Sequence, residues 1–337
     1  MPYDETQTYA VYPSQLTGYT LATGYAMVTH LYNLKHNLVP KNACCFCTIH
    51  SFIAMKLAGL TRPVIDASDA ASLGLFDLTR NEFDHTAMEK AGIDPNLLPD
   101  VAIGSFLGWD GFGLPIAVAI GDNQASFLGT TRGKTDCLLI NVGTGSKVSI
   151  YSKTQIYCPA LELRPFPTGG YLLVGAALCG RYAYALLENF FRETVKMVTG
   201  ADVSCYAAMR NLMDAHEPVT DYPTVITTFA GTRCEPSVRG SFTNVSTTNM
   251  TPLHWIYGVL HGVANELYVM YQSYLQAGGS RKATMYGSGN GLRRINHLCQ
   301  IISETFGYPL MLSENDEDAA FGAALFGMDA FSTDEGV

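Results

Sequence analysis

Apolar runs of strand character repeatedly break off in glycine or small residues and give way to stretches with helical spacing. "GLPIAVAIGD" leads into "NQASFLGT", "GGYLLVGAALCG" into "RYAYALLENFFRETVKMV", and "KATMYGSGNG" into "LRRINHLCQIISETFG". "CLLINVGTGSKVSIY" reads instead as a hairpin about a glycine turn, and "PLHWIYGVLHGVANELYVMYQSYLQAGG" as the longest helix, closed by two glycines. Strands alternating with helices predict an α/β architecture. With 337 residues, 47% of them hydrophobic, the chain has material for two cores, and two domains are expected.

The N-terminal third reads less regularly. Helical spacing runs from Ala22 to Lys35 and again through "TIHSFIAMKLAG", which Gly59 closes. "DASDAASLGLFDLTRNEFD" reads as loop, "HTAMEKAGI" as a short helix and "DPNLLPDV" as a turn-rich exit.

Charge and cysteine usage exclude several functions. A net charge of −9 repels phosphate backbones, so nucleic acid and anionic membranes are not expected partners. No run reaches the roughly eighteen apolar residues of a membrane span, and the polar start "MPYDETQTY" is no signal peptide. Nine cysteines, several in apolar company, read as buried thiols of a cytoplasmic protein. Cys44, Cys45, Cys47 and His50 are the one metal-like cluster. No second ligand pair follows at a zinc-site spacing, so no metal site is expected there.

Two glycine turns follow strands: Gly143-Thr144-Gly145-Ser146 and Gly287-Ser288-Gly289-Asn290-Gly291. Such turns let backbone N–H groups approach a phosphate. Neither has the spacing of a P-loop or of a dinucleotide fingerprint, and a plain hairpin turn is the competing reading of each. Asp122 ends an apolar run and precedes Asn123 and Gln124. At the C-terminal end of a strand a carboxylate faces the ligand crevice of an α/β sheet, where it can take a proton from a substrate hydroxyl. As an alternative it caps the helix that follows. Asp66, Ser68 and Asp69 read as a solvated loop with local side-chain turns.

These residues resemble the FGGY carbohydrate kinases. "GDNQAS" is similar to the segment carrying that family's catalytic base, "NVGTGS" to its second phosphate motif, and "YGSGNGLRRINHLCQIISETFGYPLML" with "DEDAAFGAALFG" to its C-terminal signature. "CTIHSFIAMKLAGLTRPVIDASDAASLGLFDL" is similar to the family's sedoheptulokinase branch. The resemblance implies an actin-like, ribonuclease-H-like two-domain ATPase fold. An N-terminal sugar-binding domain would occupy residues 1–150, a C-terminal nucleotide-binding domain 151–331 and a tail 332–337.

The implied activity is ATP- and Mg²⁺-dependent phosphorylation of a ketose, sedoheptulose to sedoheptulose 7-phosphate. Asp122 would be the base, with Asn123 and Gln124 beside the sugar and Asp66, Ser68 and Asp69 near it. Gly143, Thr144, Gly145 and Ser146 would lie at the phosphates, and Gly180, Gly287, Ser288, Gly289 and Asn290 along the nucleotide. The family's D-x-G-T and W-x-D-x-R segments find no match. The first domain is therefore expected to be incomplete, with its Mg²⁺ ligands in the absent part and this chain slow or inactive. A non-catalytic nucleotide- or sugar-binding remnant is the alternative. Where many relatives carry G-E-R, this chain has Gly231-Thr232-Arg233.

Overall fold

The computed structural model describes residues 3, 4, 7–102, 106–232 and 235–334; Arg233, singled out above, lies outside them. The first part comprises α1 (Val11–Thr17), α2 (Ala26–Lys35), α3 (Ile49–Leu57), β1 (Val64–Asp66), α4 (Ala67–Leu73), β2 (Phe76–Asp77), β3 (Glu82–Phe83), α5 (His85–Ala91), β4 (Asp100–Ala102), β5 (Phe106–Trp109), β6 (Pro115–Ala117) and α6 (Asp122–Thr131). The second comprises β7 (Cys137–Val142), β8 (Ser146–Ser152), β9 (Glu162–Pro165), β10 (Tyr171–Ala177), α7 (Arg181–Thr199), α8 (Tyr206–Asp214), β11 (Thr224–Ile226), β12 (Ser241–Thr243), α9 (Pro252–Gln276), β13 (Thr284–Ser288), α10 (Asn290–Arg294), α11 (Asn296–Phe306), β14 (Leu310–Leu312) and α12 (Asp318–Asp334).

A six-stranded sheet in the order β14-β13-β7-β8-β10-β9 organises the second part. β14, β13 and β7 run parallel, while β7, β8, β10 and β9 pair antiparallel, with β10 between β8 and β9. Helices cover both faces, which is why its strands read as nearly unbroken apolar runs. Along β7, Leu138, Ile140 and Val142 point into a core shared with α7, α9 and α11, whereas Cys137 and Leu139 point to the other face, against α6 and α12. β10 divides in the same way, Leu173 to the first core, Leu172 and Val174 to the second. Each such side chain, sealed from water, contributes about 1.5–3 kcal/mol.

The hairpin β7–β8, which the sequence boundary at residue 150 places with the first domain, is hydrogen-bonded into the sheet of the second. α12 also runs on to Asp334, through residues read above as tail.

A separate core fills the first part, from Tyr9 and Met27 through Ile65, Leu75 and Met88 to Leu98. Here the sequence reading needs correcting. The stretch read as loop contains α4, for which Asp66 is the N-cap, its Oδ1 accepting from the Ser68 N–H at 2.8 Å. Ser, Asp and Ala in this order look like a turn, but the capping bond and burial win. Asp66, Ser68 and Asp69 are all buried, so they are no solvated loop. The strand expected through "GLPIAVAIGD" is also shorter than read: among the described residues β6 pairs only with β5, and chain outside any strand carries it to Gly121.

α6 and α12 join the two parts by backbone contact. A Cβ on Gly129 would overlap the Asp318 carbonyl, and one on Gly322 the Ala125 carbonyl. The two glycines let the helices approach until main chain meets main chain.

Candidate active site

Asp122 opens the first turn of α6, with Gly121 as a cap that offers no side-chain bond. The capping alternative therefore fails. The carboxylate is exposed and, among the described residues, makes no hydrogen bond or ion pair.

The surroundings of Asp122 are pinned. The Gly121 N–H donates to Ser68 Oγ at 3.2 Å. Gln124 is fully buried, and its Nε2 donates to the carbonyls of Pro165 (3.0 Å) and Ser68 (3.4 Å). Gln124 thus ties α6, α4 and β9 together and presents no surface to a ligand. Asn123 Oδ1 accepts from Lys147 Nζ at 2.8 Å, and Lys147 immediately follows the glycine turn between β7 and β8. This lysine, which sequence reading missed, couples the Asp122 segment to that turn.

The glycine turns converge at one end of the large sheet. The Arg181 and Tyr182 N–H groups donate to the carbonyls of Gly143 and Thr144, each at 3.0 Å. A Cβ on Gly145 would lie 2.6 Å from the Ala177 carbonyl oxygen, and one on Gly180 would overlap the Gly145 carbonyl. The turn after β13 packs onto the same place. Gly289 has φ +92°, and a Cβ there would lie 2.6 Å from the Val142 oxygen. Ser288 Oγ accepts from Asn141 Nδ2 at 2.8 Å.

Gly143, Thr144, Gly145, Ser146, Gly180, Ser288, Gly289 and Asn290 are therefore brought together. Thr144 and Asn290 are exposed there. A Cβ on Gly143 would meet nothing closer than 3.9 Å, so one side of the turn is open. Gly287 differs: it is buried in β13, where a Cβ would press on the side chains of Leu292, Leu310 and Leu312.

A second polar group, whose members the sequence named without pairing them, lies near Asp122. Thr48 caps α3 and donates its hydroxyl to Asp69 Oδ2 at 2.8 Å. His50 Nε2 lies 2.7 Å from the same oxygen. Ser72 Oγ reaches Asp69 Oδ1 at 3.3 Å. The close Asp69 carboxylate raises the His50 pKa above its ordinary value against the opposing effect of burial, and the charge of Asp122 adds to the rise. Burial and the charge of Asp69 push the Cys47 thiol up. His50, grouped above with Cys44, Cys45 and Cys47, is thus turned to a carboxylate. No group of three or more His, Cys, Asp or Glu side chains among the described residues is placed to hold a metal ion.

The FGGY family of carbohydrate kinases matches this chain with its N-terminal domain over residues 5–129 and its C-terminal domain over 138–331. The chain belongs to that family. Among similar proteins, the sedoheptulokinase of Mus musculus is 29% identical over 327 residues, covering 91% of this chain and 67% of its own. Among solved structures, xylulose kinase from Rhodospirillum rubrum superposes with a TM-score of 0.80 at 20% identity, over 95% of this chain and 66% of its own. Plasmodium falciparum glycerol kinase with ADP superposes with a TM-score of 0.78 at 16% identity, over 98% of this chain and 68% of its own.

This FGGY chain thus has the actin-like, two-domain fold of those kinases and spans about two thirds of their length. No helix among its described residues is long and apolar enough to cross a membrane.

Proposed function

We propose that the protein transfers the γ-phosphoryl group of ATP to the terminal hydroxyl of a ketose, with sedoheptulose as the substrate and sedoheptulose 7-phosphate as the product. The observation that carries this reading is the Lys147–Asn123 bond. It ties the segment of an exposed carboxylate, unpaired among the described residues, to the first of two glycine turns that converge with the Gly180 start of α7. The similarity to a sedoheptulokinase supports the choice of sugar.

The cradle fits a nucleotide. Gly143 leaves space for an anion, while Gly145, Gly180 and Gly289 stand where a side chain would strike main chain. ATP, when bound, supplies the electrophilic phosphorus and a good leaving group. Everything else falls to this chain. Asp122 accepts the proton of the attacking hydroxyl, which raises the nucleophilicity of that oxygen as the new bond forms. Thr144 and the backbone of its turn hold the charge that spreads over the transferred group. Asn123 and Gln124 position Asp122 through Lys147 and through Ser68 and Pro165. The described residues offer no built site for Mg²⁺, and no step here runs through it. The eight free cysteines that the structure describes suit a reducing compartment, and we place the enzyme in the cytoplasm.

The experiment is a coupled ADP-release assay against sedoheptulose, xylulose, ribulose and glycerol. Sedoheptulose is expected to be the preferred acceptor, and preference for glycerol would refute the assignment. Gly289→Ala tests the nucleotide side. Its backbone lies in the left-handed region and its Cβ would strike Val142, so the change is expected to cost about 1–3 kcal/mol of local strain. Calorimetric titration should show weaker ADP binding and unchanged sedoheptulose binding.

A further inference from the structure

We propose that His50, oriented by Asp69, is a specificity-determining residue: its second ring nitrogen, Nδ1, donates a hydrogen bond to a hydroxyl of the ketose whose terminal hydroxyl Asp122 deprotonates. This rests on the reading of Asp122 as the base facing the sugar.

Three observations carry it. The first is geometry. Asp69 is almost completely buried, and its Oδ2 is shared by Thr48 Oγ1 at 2.8 Å and His50 Nε2 at 2.7 Å. A buried carboxylate this close to Nε2 favours a proton on that nitrogen and biases the ring's orientation, through an ion-pair approach rather than an aligned hydrogen bond. The second is accessibility. The His50 side chain is 41% exposed, and Nδ1 makes no hydrogen bond among the described residues. The third is position. Asp122 lies close enough for its charge to act on the imidazole. Ser68, next to Asp69, receives the Gly121 N–H beside Asp122. α3, which carries His50, packs on β6, the strand leading to Asp122. These contacts place the His50–Asp69 pair and Asp122 on neighbouring, packed segments.

The carboxylates that act on His50 are Asp69 from α4 and Asp122 from α6. Both favour its charged form. Cys47, in the segment entering α3, also feels Asp69 and is held as a neutral thiol. The imidazolium therefore persists above the ordinary histidine pKa, and Nδ1 is a charged donor. Its contribution to sugar binding is complete below about pH 6.5 and is lost as pH rises through the raised value. A histidine serving only to hold α3 would not link sugar affinity to pH in this way.

The test is titration calorimetry of the protein with sedoheptulose and, separately, with ADP. His50→Ala is expected to weaken sedoheptulose binding about 10- to 100-fold, the worth of one charge-assisted hydrogen bond, with ADP binding unchanged. Parent affinity for sedoheptulose should fall as pH rises. His50→Gln, which keeps an amide donor, should restore part of the affinity and remove that pH dependence. Asp69→Asn should move its midpoint down. Equal sedoheptulose affinity in parent and His50→Ala, or a pH dependence that survives in His50→Gln, overturns the inference and leaves the kinase reading standing. A parent that binds ADP but no ketose overturns both.

Discussion

Asp122→Asn is expected to lower ketose phosphorylation by about 10²–10⁴, the usual worth of a general base, with ADP affinity and melting temperature unchanged. Asparagine matches aspartate in size, and the side chain is exposed and makes no hydrogen bond or ion pair among the described residues, so the fold loses nothing by the change. Asn123 keeps its bond to Lys147, and Gln124 keeps its bonds to Ser68 and Pro165. Only the capacity to accept a proton disappears. The loss should fall on kcat rather than on KM, because the interaction removed forms as the hydroxyl attacks. Near-normal kcat in this variant would show that another group accepts the proton.

The largest structural effect is expected at a position far from the chemistry. Gly322→Val places a β-branched side chain where even a Cβ would overlap the Ala125 carbonyl. No rotamer avoids that clash, since the obstacle is main chain, so α12 must move off α6. Overpacking that side chains can absorb costs about 1–3 kcal/mol; here the cost should exceed that range. Phe326, which α12 buries with Phe127 and Leu128 of α6, would lose part of its cover. Urea unfolding should show a lower midpoint, and Gly129→Val, on the other helix of the pair, should behave alike. A Gly322→Val protein as stable as the parent would mean that the two helices do not approach so closely.

What could be read in the sequence was whatever one residue type announces locally. The glycine turns around Gly145 and Gly289 were legible because a Cβ there would strike main chain, so glycine stands where close backbone approach requires it. The strands β7 and β10 were legible because burial on both faces leaves them almost wholly apolar, Asn141 in β7 being the exception. Helix α4 was not. Asp66, Ser68 and Asp69 are turn formers by composition; in the fold all three are buried, Asp66 capping the helix that contains the other two.

The site was legible in its parts but not in its connections. His50 and Asp69 are far apart in sequence, as are Asn123 and Lys147, and nothing in spacing predicts that they touch. The boundary at residue 150 reflected chain order. The sheet instead recruits β7 and β8 to the later strands, because β7 pairs in parallel with β13.

The most direct test of the account is a prolonged incubation of the purified protein with ATP, Mg²⁺ and sedoheptulose, with the product read by mass spectrometry and ³¹P resonance. The account predicts a monophosphate on the terminal carbon of the ketose, formed by the parent and missing from Asp122→Asn. The same product in equal yield from both proteins would contradict it.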